Sequence, residues 1–263
     1  MSSQPPPPTL TAADALFLDF DGTLVGIAET PEAVEVPTGM VALLRDVHAW
    51  LGGALAVVSG RQIDTLDRFL APLRLPGAGE HGVQRRDAEG RMLEQPPPDL
   101  RAVLAAANEL AGSHPDLLVE RKHAAVAVHY RRAPELEALC GQVLGAVIAD
   151  QPQLELLHGK SVFEVKPAGV HKGMAIAAFM QEPPFAGRRP VFAGDDTTDE
   201  NGFAVVQPLG GVGVKVGSGT TLAQYRLESP KAVFEWLAAA LPDEFKNTGR
   251  QAGADPAART SSP

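Results

Sequence analysis

Two carboxylates stand two residues apart in Asp19-Phe20-Asp21-Gly22-Thr23, directly after the apolar run Ala15-Leu16-Phe17-Leu18. An Asp beside a Gly commonly makes an Asx turn or a helix cap. A cap uses one carboxylate, whereas two are present at the end of a run that reads as a buried strand. A second acidic cluster, Asp195-Asp196 with Asp199-Glu200, follows the apolar residues 190–193. Alone, Asp199 and Glu200 would suit a helix start, where the dipole favours negative charge. In an open parallel sheet, however, ligands gather beyond the carboxyl ends of the strands. Both clusters would then meet at one sheet edge. Asp19, Asp21 and Asp195 would repel one another strongly there unless a cation lay between them. An all-oxygen set of hard donors favours Mg²⁺. Ser59 and Arg61 follow a second apolar run, and Lys172 lies early in a helical segment. Carboxylates, a divalent cation, a serine, an arginine and a lysine make a set suited to charge on a transferring phosphoryl group.

Such a set needs a frame that brings positions 19, 59, 172 and 195 together. Residues 15–20 read as a strand, about 38–51 as a helix, 54–58 as a strand and 63–70 as a helix. The alternation returns late: helix over 170–180, strand over 190–193, helix over 200–206, strand over 212–216 and a last helix over about 230–241. That is the pattern of a parallel sheet covered by helices.

The middle is patterned differently. Leu100, Val103, Leu104, Ala107 and Ala111 form a helical stripe, and Leu136, Leu139, Cys140, Val143, Leu144, Val147 and Ile148 form another. Each helix precedes two strand-like runs, 117–122 with 124–131 and 154–157 with 161–166. The expected architecture is therefore α/β: a Rossmann-like core, discontinuous over 15–97 and 169–245, with an inserted α+β cap (αββαββ) over 98–168. Residues 1–14 and 246–263, polar or proline-rich and without periodicity, are expected to be disordered. Strand alternation places Glu120 with Lys122, His129 with Arg131, and Glu164 with Lys166 on one polar cap face. Val126, Val128, Tyr130, Phe163 and Val165 form the opposite, apolar face. A solvated face with cross-strand ion pairs is the plain reading of such a surface.

The 263 residues carry 23 Lys and Arg against 32 Asp and Glu, a net charge of −9. That balance disfavours nucleic acid and anionic membrane as partners. It leaves a small anionic substrate open, since local charge governs such a site. The single cysteine, Cys140, excludes an internal disulfide and a thiolate metal cluster. No apolar run reaches the roughly 18 residues of a membrane span, and no leader pattern opens the chain, so a cytoplasmic protein is expected. Two tempting matches fail. Gly159-Lys160-Ser161 resembles the end of a P-loop, but Leu154 stands where its first glycine belongs. Gly77-Ala78-Gly79-Glu80-His81-Gly82 fits GxGxxG, but no helical pattern follows to receive a pyrophosphate.

In their order, Asp19-Phe20-Asp21-Gly22-Thr23, Ser59-Gly60-Arg61, Lys172 and Gly194-Asp195-Asp196 with Asp199 resemble the four signatures of the haloacid dehalogenase superfamily. Glu80-His81-Gly82, Glu120-Arg121-Lys122, His129-Tyr130-Arg131, Glu164-Val165-Lys166-Pro167 and residues 194–200 look like those of the trehalose-6-phosphate phosphatases. The resemblance covers about residues 16–241. It implies a cap of the C2B type and trehalose 6-phosphate as substrate; the oligomeric state is not readable from the sequence, and a monomer is favoured. Asp19 would be the nucleophile and Asp21 the general acid and base. Asp19, the Asp21 backbone carbonyl and Asp195 would bind Mg²⁺, supported by Asp196 or Asp199. Ser59 and Lys172 would hold the phosphoryl oxygens, and Arg61 would orient phosphate or substrate. Glu120, Lys122, Arg131 and Glu164 would contact the disaccharide, with His81 and His129 beside them. Gly26 and His171 depart from the Pro and Asn common in the family, removing no catalytic group. A sucrose-phosphate or mannosylglycerate-phosphate phosphatase, a mutase and a silent sugar-phosphate-binding domain remain as alternatives.

Overall fold

The computed structural model describes residues 4–28, 30–94 and 96–246. The chain builds β1 (Asp14–Leu18), α1 (Met40–Trp50), β2 (Leu55–Val58), α2 (Ile63–Leu70), and three short strands, β3 (Gly77–Gly79), β4 (Gln84–Arg86) and β5 (Met92–Glu94). It then leaves the large sheet to form α3 (Arg101–Ser113), β6 (Leu118–Arg121), β7 (Val126–His129), α4 (Glu137–Ile148), β8 (Leu154–Gly159) and β9 (Val162–Pro167). It returns with α5 (Lys172–Phe179), β10 (Arg189–Gly194), α6 (Glu200–Val206), β11 (Val212–Val216), β12 (Tyr225–Leu227) and α7 (Pro230–Ala240).

The large sheet runs β12-β11-β10-β1-β2-β3-β4-β5. Its strands are parallel from β12 to β3, while β4 and β5 add antiparallel. The three strands β3 to β5 correct the sequence reading, which saw none between residues 70 and 98. Glycines, arginines and short length hide them from an apolar pattern. The central strands are buried on both faces, so they read as continuous apolar runs. Phe17 of β1 packs in a triangle with Phe179 and Phe185, at ring-centroid distances of 6.0 and 5.4 Å. Each such ring contributes about 1.5–3 kcal/mol by leaving water. Phe192 of β10 lies over Gly202 of α6, where a Cβ would stand 2.2 Å from its ring. Only glycine lets that helix and strand approach so closely.

The cap sheet is antiparallel, in the order β6-β7-β9-β8. Val126, Val128, Phe163 and Val165 turn to α3 and α4 and share a buried cluster with Val103, Ala107, Cys140 and Leu144. Cys140 is packing material there. Two further expectations need correction. Residues 4–14 lie on the core rather than apart from it. Leu10 is buried, Trp236 Nε1 donates to Pro8 O (3.0 Å) and Arg226 N donates to Pro5 O (3.0 Å). A stiff proline run has little conformational entropy to lose on docking. The helix expected from residue 170 begins at Lys172, because the His171 ring accepts from Met174 N and starts it there. The disordered tail expected over 246–263 falls outside the described residues from 247 onward. Among the described residues, no helix is long and apolar enough to cross a membrane.

Candidate active site

β1 and β10 are neighbours, with Leu18 opposite Ala193, so the residues that follow them emerge side by side. Asp19 N donates to Ala193 O (2.9 Å), which sets Asp19 beside the Asp195 turn. That turn is closed reciprocally: the Asp196 carboxylate accepts from Thr197 N, and Asp199 Oδ2 accepts from Asp196 N (2.9 Å). Carboxylate oxygens of Asp19, Asp195 and Asp199 lie within 4.8 Å of one another. Lys172, the first residue of α5, donates to Asp19 Oδ1 (2.6 Å) and Asp199 Oδ1 (2.7 Å). Asp19, Lys172 and Asp199 are all buried.

Burial pushes the Asp19 carboxyl well up, and Asp199 and Asp195 push the same way against the pull of Lys172. Burial, then Asp199 and Asp196, push Asp195 up to about 7. Burial works to discharge Lys172, yet the two carboxylates it touches hold its ammonium well above the usual lysine range. One ammonium does not neutralise three crowded carboxylates. Their oxygens are hard donors, so the set fits one more cation of the Mg²⁺ kind.

The 59–61 loop supplies the next shelf. Ser59 Oγ accepts from Arg61 N (3.2 Å), and Ser59 is buried. Arg61 forks onto Asp21, Nε to Oδ2 at 2.6 Å and Nη2 to Oδ1 at 2.8 Å, while Nη1 donates to Pro31 O. Its guanidinium also lies over the Phe20 and Phe69 rings. Arg61 was expected to orient phosphate or substrate; it lines the cavity with its fork on Asp21. The carboxylate cluster of Asp19, Asp195 and Asp199 does not include Asp21.

The polar cap face roofs this floor. Glu120 lies opposite Ala127, Ala127 opposite Glu164 and Glu164 opposite Leu157, one row across the sheet. Lys122 Nζ donates to Glu164 Oε2 and, across the gap, to Gly60 O of the core (3.0 Å). His129 Nε2 is 2.9 Å from Glu120 Oε2. Burial first, then Lys122, Lys172 and Lys166, press the buried His81 well below the usual imidazole range. Glu164 Oε1 is buried without a hydrogen-bond partner, 3.7 Å from His81 Nε2. Arg131 donates to Ala28 O of the core (2.6 Å), bridging the mouth. Between floor and roof lies a cavity of about 490 Å³, lined from the core by Asp19, Asp21, Ser59, Lys172 and Asp195. That volume falls within the roughly 300–1,000 Å³ of small-molecule sites.

The trehalose-phosphatase family model matches residues 17–231, which includes floor and roof alike. The chain belongs to that family. It is 44% identical over 232 residues to trehalose-6-phosphate phosphatase of Escherichia coli K12, covering 88% of this chain and 87% of the relative. It is 45% identical over 208 residues to a probable trehalose-phosphate phosphatase of Sinorhizobium fredii, covering 77% of each. The C-terminal domain of Candida albicans trehalose-6-phosphate phosphatase superposes with a TM-score of 0.80, over 90% of this chain and 98% of that one. At 22% identity that likeness speaks for the fold.

In this member of the family, the residues singled out from sequence gather around one cavity, with Asp199 beneath it. Asp196 and Asp199, the two expected alternatives for metal support, sit differently. Asp196 caps its own turn, and Asp199 joins the acidic cluster. Two residues escaped the sequence reading. Lys215 of β11 is buried with its ammonium on Asp195 O, and the signal was a lysine inside an apolar strand. Glu80 appeared only within a motif, without a role. Gly22 has φ 77°, and a Cβ there would stand 2.1 Å from Asp195 Oδ2. Gly22→Ala is therefore expected to displace Asp195 and to lower phosphate release about 100-fold, as an ångström-scale misplacement does. Far-ultraviolet circular dichroism should remain that of the parent.

Proposed function

We propose that this chain is a Mg²⁺-dependent phosphoric monoester hydrolase that converts trehalose 6-phosphate and water to trehalose and inorganic phosphate. The observation that carries the reading is a buried carboxylate, Asp19, fixed by Lys172 beneath a roof of sugar-compatible polar groups. An Asp19 carboxylate oxygen attacks phosphorus as the bond to the sugar oxygen breaks, giving an aspartyl phosphate and an alcohol. Asp21, which must leave the Arg61 fork and act as the carboxylic acid, gives its proton to the departing oxygen. It then takes a proton from water, whose oxygen attacks the same phosphorus, releases phosphate and restores Asp19. Ser59 and Lys172 hold the phosphoryl oxygens. Asp19, Asp195 and the Asp21 backbone carbonyl, with Asp199 behind them, would hold Mg²⁺, which would supply charge stabilisation to those oxygens.

Glu120, Lys122, Glu164, His81, His129 and Arg131 provide donors and acceptors for the sugar hydroxyls, the free Glu164 Oε1 among them. A buried lone thiol suits the reducing cytoplasm. The test is phosphate release from a panel of sugar phosphates with Mg²⁺ and with a chelator. Trehalose 6-phosphate should exceed sucrose, mannosylglycerate and glucose phosphates by about tenfold or more in kcat/KM, the discrimination that unpaired site groups impose. Chelation should stop turnover and Mg²⁺ should restore it. Preference for another sugar phosphate overturns the substrate, and phosphate transfer to sugar in place of water overturns the reaction.

A further inference from the structure

Glu80 is a buried carboxylate with no part in the chemistry above. It belongs to the core, yet both its oxygens are engaged by the cap: Oε1 accepts from His123 N (2.8 Å) and Oε2 from Ala124 N (2.7 Å). Those two N–H groups sit inside the tight turn between β6 and β7, which Lys122 N closes onto Ala125 O (2.9 Å). On its own side, Glu80 is tied to the phosphate shelf. Glu80 N donates to Arg61 O and His81 N to Ser59 O, both at 2.9 Å. Glu80 and His81 hold φ of 45° and 59°, a left-handed backbone uncommon outside glycine. Strain of that kind persists only where the surroundings impose it. Beside the tie, Val83 of the core, Ala124 of the cap and Val170 of the returning chain form a small buried apolar cluster.

We propose that Glu80 is a positioning residue of the sugar site, fixing the β6–β7 turn of the cap on the Ser59–Arg61 loop of the core. The inference rests on the reading of the cleft as a sugar-phosphate site. The residue next to the tied turn is Lys122, whose ammonium bridges Glu164 and Gly60 O. The residue next to Glu80 in sequence is His81, which faces Glu164. One carboxylate thus sets the spacing of three candidate sugar contacts from the phosphoryl floor. A substrate with a sugar to place needs that spacing. A small aryl phosphate, which presents only its phosphoryl group and a flat leaving group, does not.

Glu80→Gln tests the proposal, since it keeps the shape but turns an NH₂ group onto an N–H donor. The kcat/KM for trehalose 6-phosphate is expected to fall about 30-fold, mainly through KM, as for a lost charge-assisted hydrogen bond. Hydrolysis of p-nitrophenyl phosphate should stay within about twofold, since no reacting group has moved. The amide protons of His123 and Ala124 should exchange with deuterium faster than in the parent, while those of β9 remain as before. Parallel loss on both substrates, or no change on trehalose 6-phosphate, overturns the proposal, as does unaltered exchange at 123–124. Inactivity of the parent enzyme on trehalose 6-phosphate counts against the substrate reading instead, and the exchange measurement still decides the tie.

Discussion

Asp19→Asn is expected to lower kcat on trehalose 6-phosphate by about 10⁴-fold or more, the scale of losing a nucleophile. An amide has the carboxylate's shape without its nucleophilic charge, so the phosphoryl group is held in place with nothing to attack it. The fold should survive, and for a definite reason. Asp19 is buried among Asp195 and Asp199, and its burial already works against its charge. Removing that charge relieves repulsion, and the Asn carbonyl still accepts from Lys172. With the metal chelated, the variant should melt at or above the temperature of the parent. With Mg²⁺ present the order should narrow or reverse, because the parent keeps a ligand that the variant lacks. Phosphate release and melting curves with and without Mg²⁺ check both halves. Residual turnover above about 1% of the parent would remove Asp19 as nucleophile, since losing a nucleophile leaves far less.

The floor of the site was readable because its residues lie at the ends of the two most regular signals in the chain, the apolar runs of β1 and β10. A parallel sheet buried on both faces writes itself as uninterrupted apolar sequence, and the acidic residues that interrupt it mark its carboxyl edge. The cap face was readable by period two, with Val126 and Val128 turned one way and His129 turned the other. The β3 strand was not. Gly77-Ala78-Gly79 has almost no side chain to pattern. Its glycines are required because a Cβ on Gly79 would stand 2.8 Å from Arg61 O and from Ile63 N. Close backbone approach leaves no hydrophobic trace. Pairings between distant side chains were equally silent. Arg61 reaches Asp21 across 40 positions and Arg131 reaches Ala28 O across 103. No local spacing predicts that these forks turn to the protein itself. Asp199 illustrates the middle case, since its place near a helix start suggested capping. The structure shows its two oxygens divided between the Asp196 backbone and Lys172.

Lys172→Met should damage stability and activity together, which separates it from the Asp19 change. Methionine matches much of the lysine stem and removes the ammonium. Asp19 and Asp199 then lose the donor that stands 2.6 and 2.7 Å from them. Asp195 keeps Lys215, whose ammonium is on its backbone carbonyl. Breaking a buried ion pair from one side costs about 3–5 kcal/mol, because the remaining charge is left without compensation. At roughly 2–4 °C per kcal/mol for a chain of this size, the chelated variant should melt about 6–20 °C below the parent. Mg²⁺ should recover part of that difference, since it brings positive charge to the same oxygens, while turnover stays down about 10³-fold for want of a phosphoryl-binding ammonium. Combining Lys172→Met with Asp19→Asn should cost less stability than the two changes summed, because the second removes part of the charge that the first exposes. Thermal melts of the four proteins, each with chelator and with Mg²⁺, measure that coupling directly. A Lys172→Met protein that melts with the parent under chelation would mean the ammonium does not neutralise the cluster, and Lys172 would keep only its contact with the phosphoryl group.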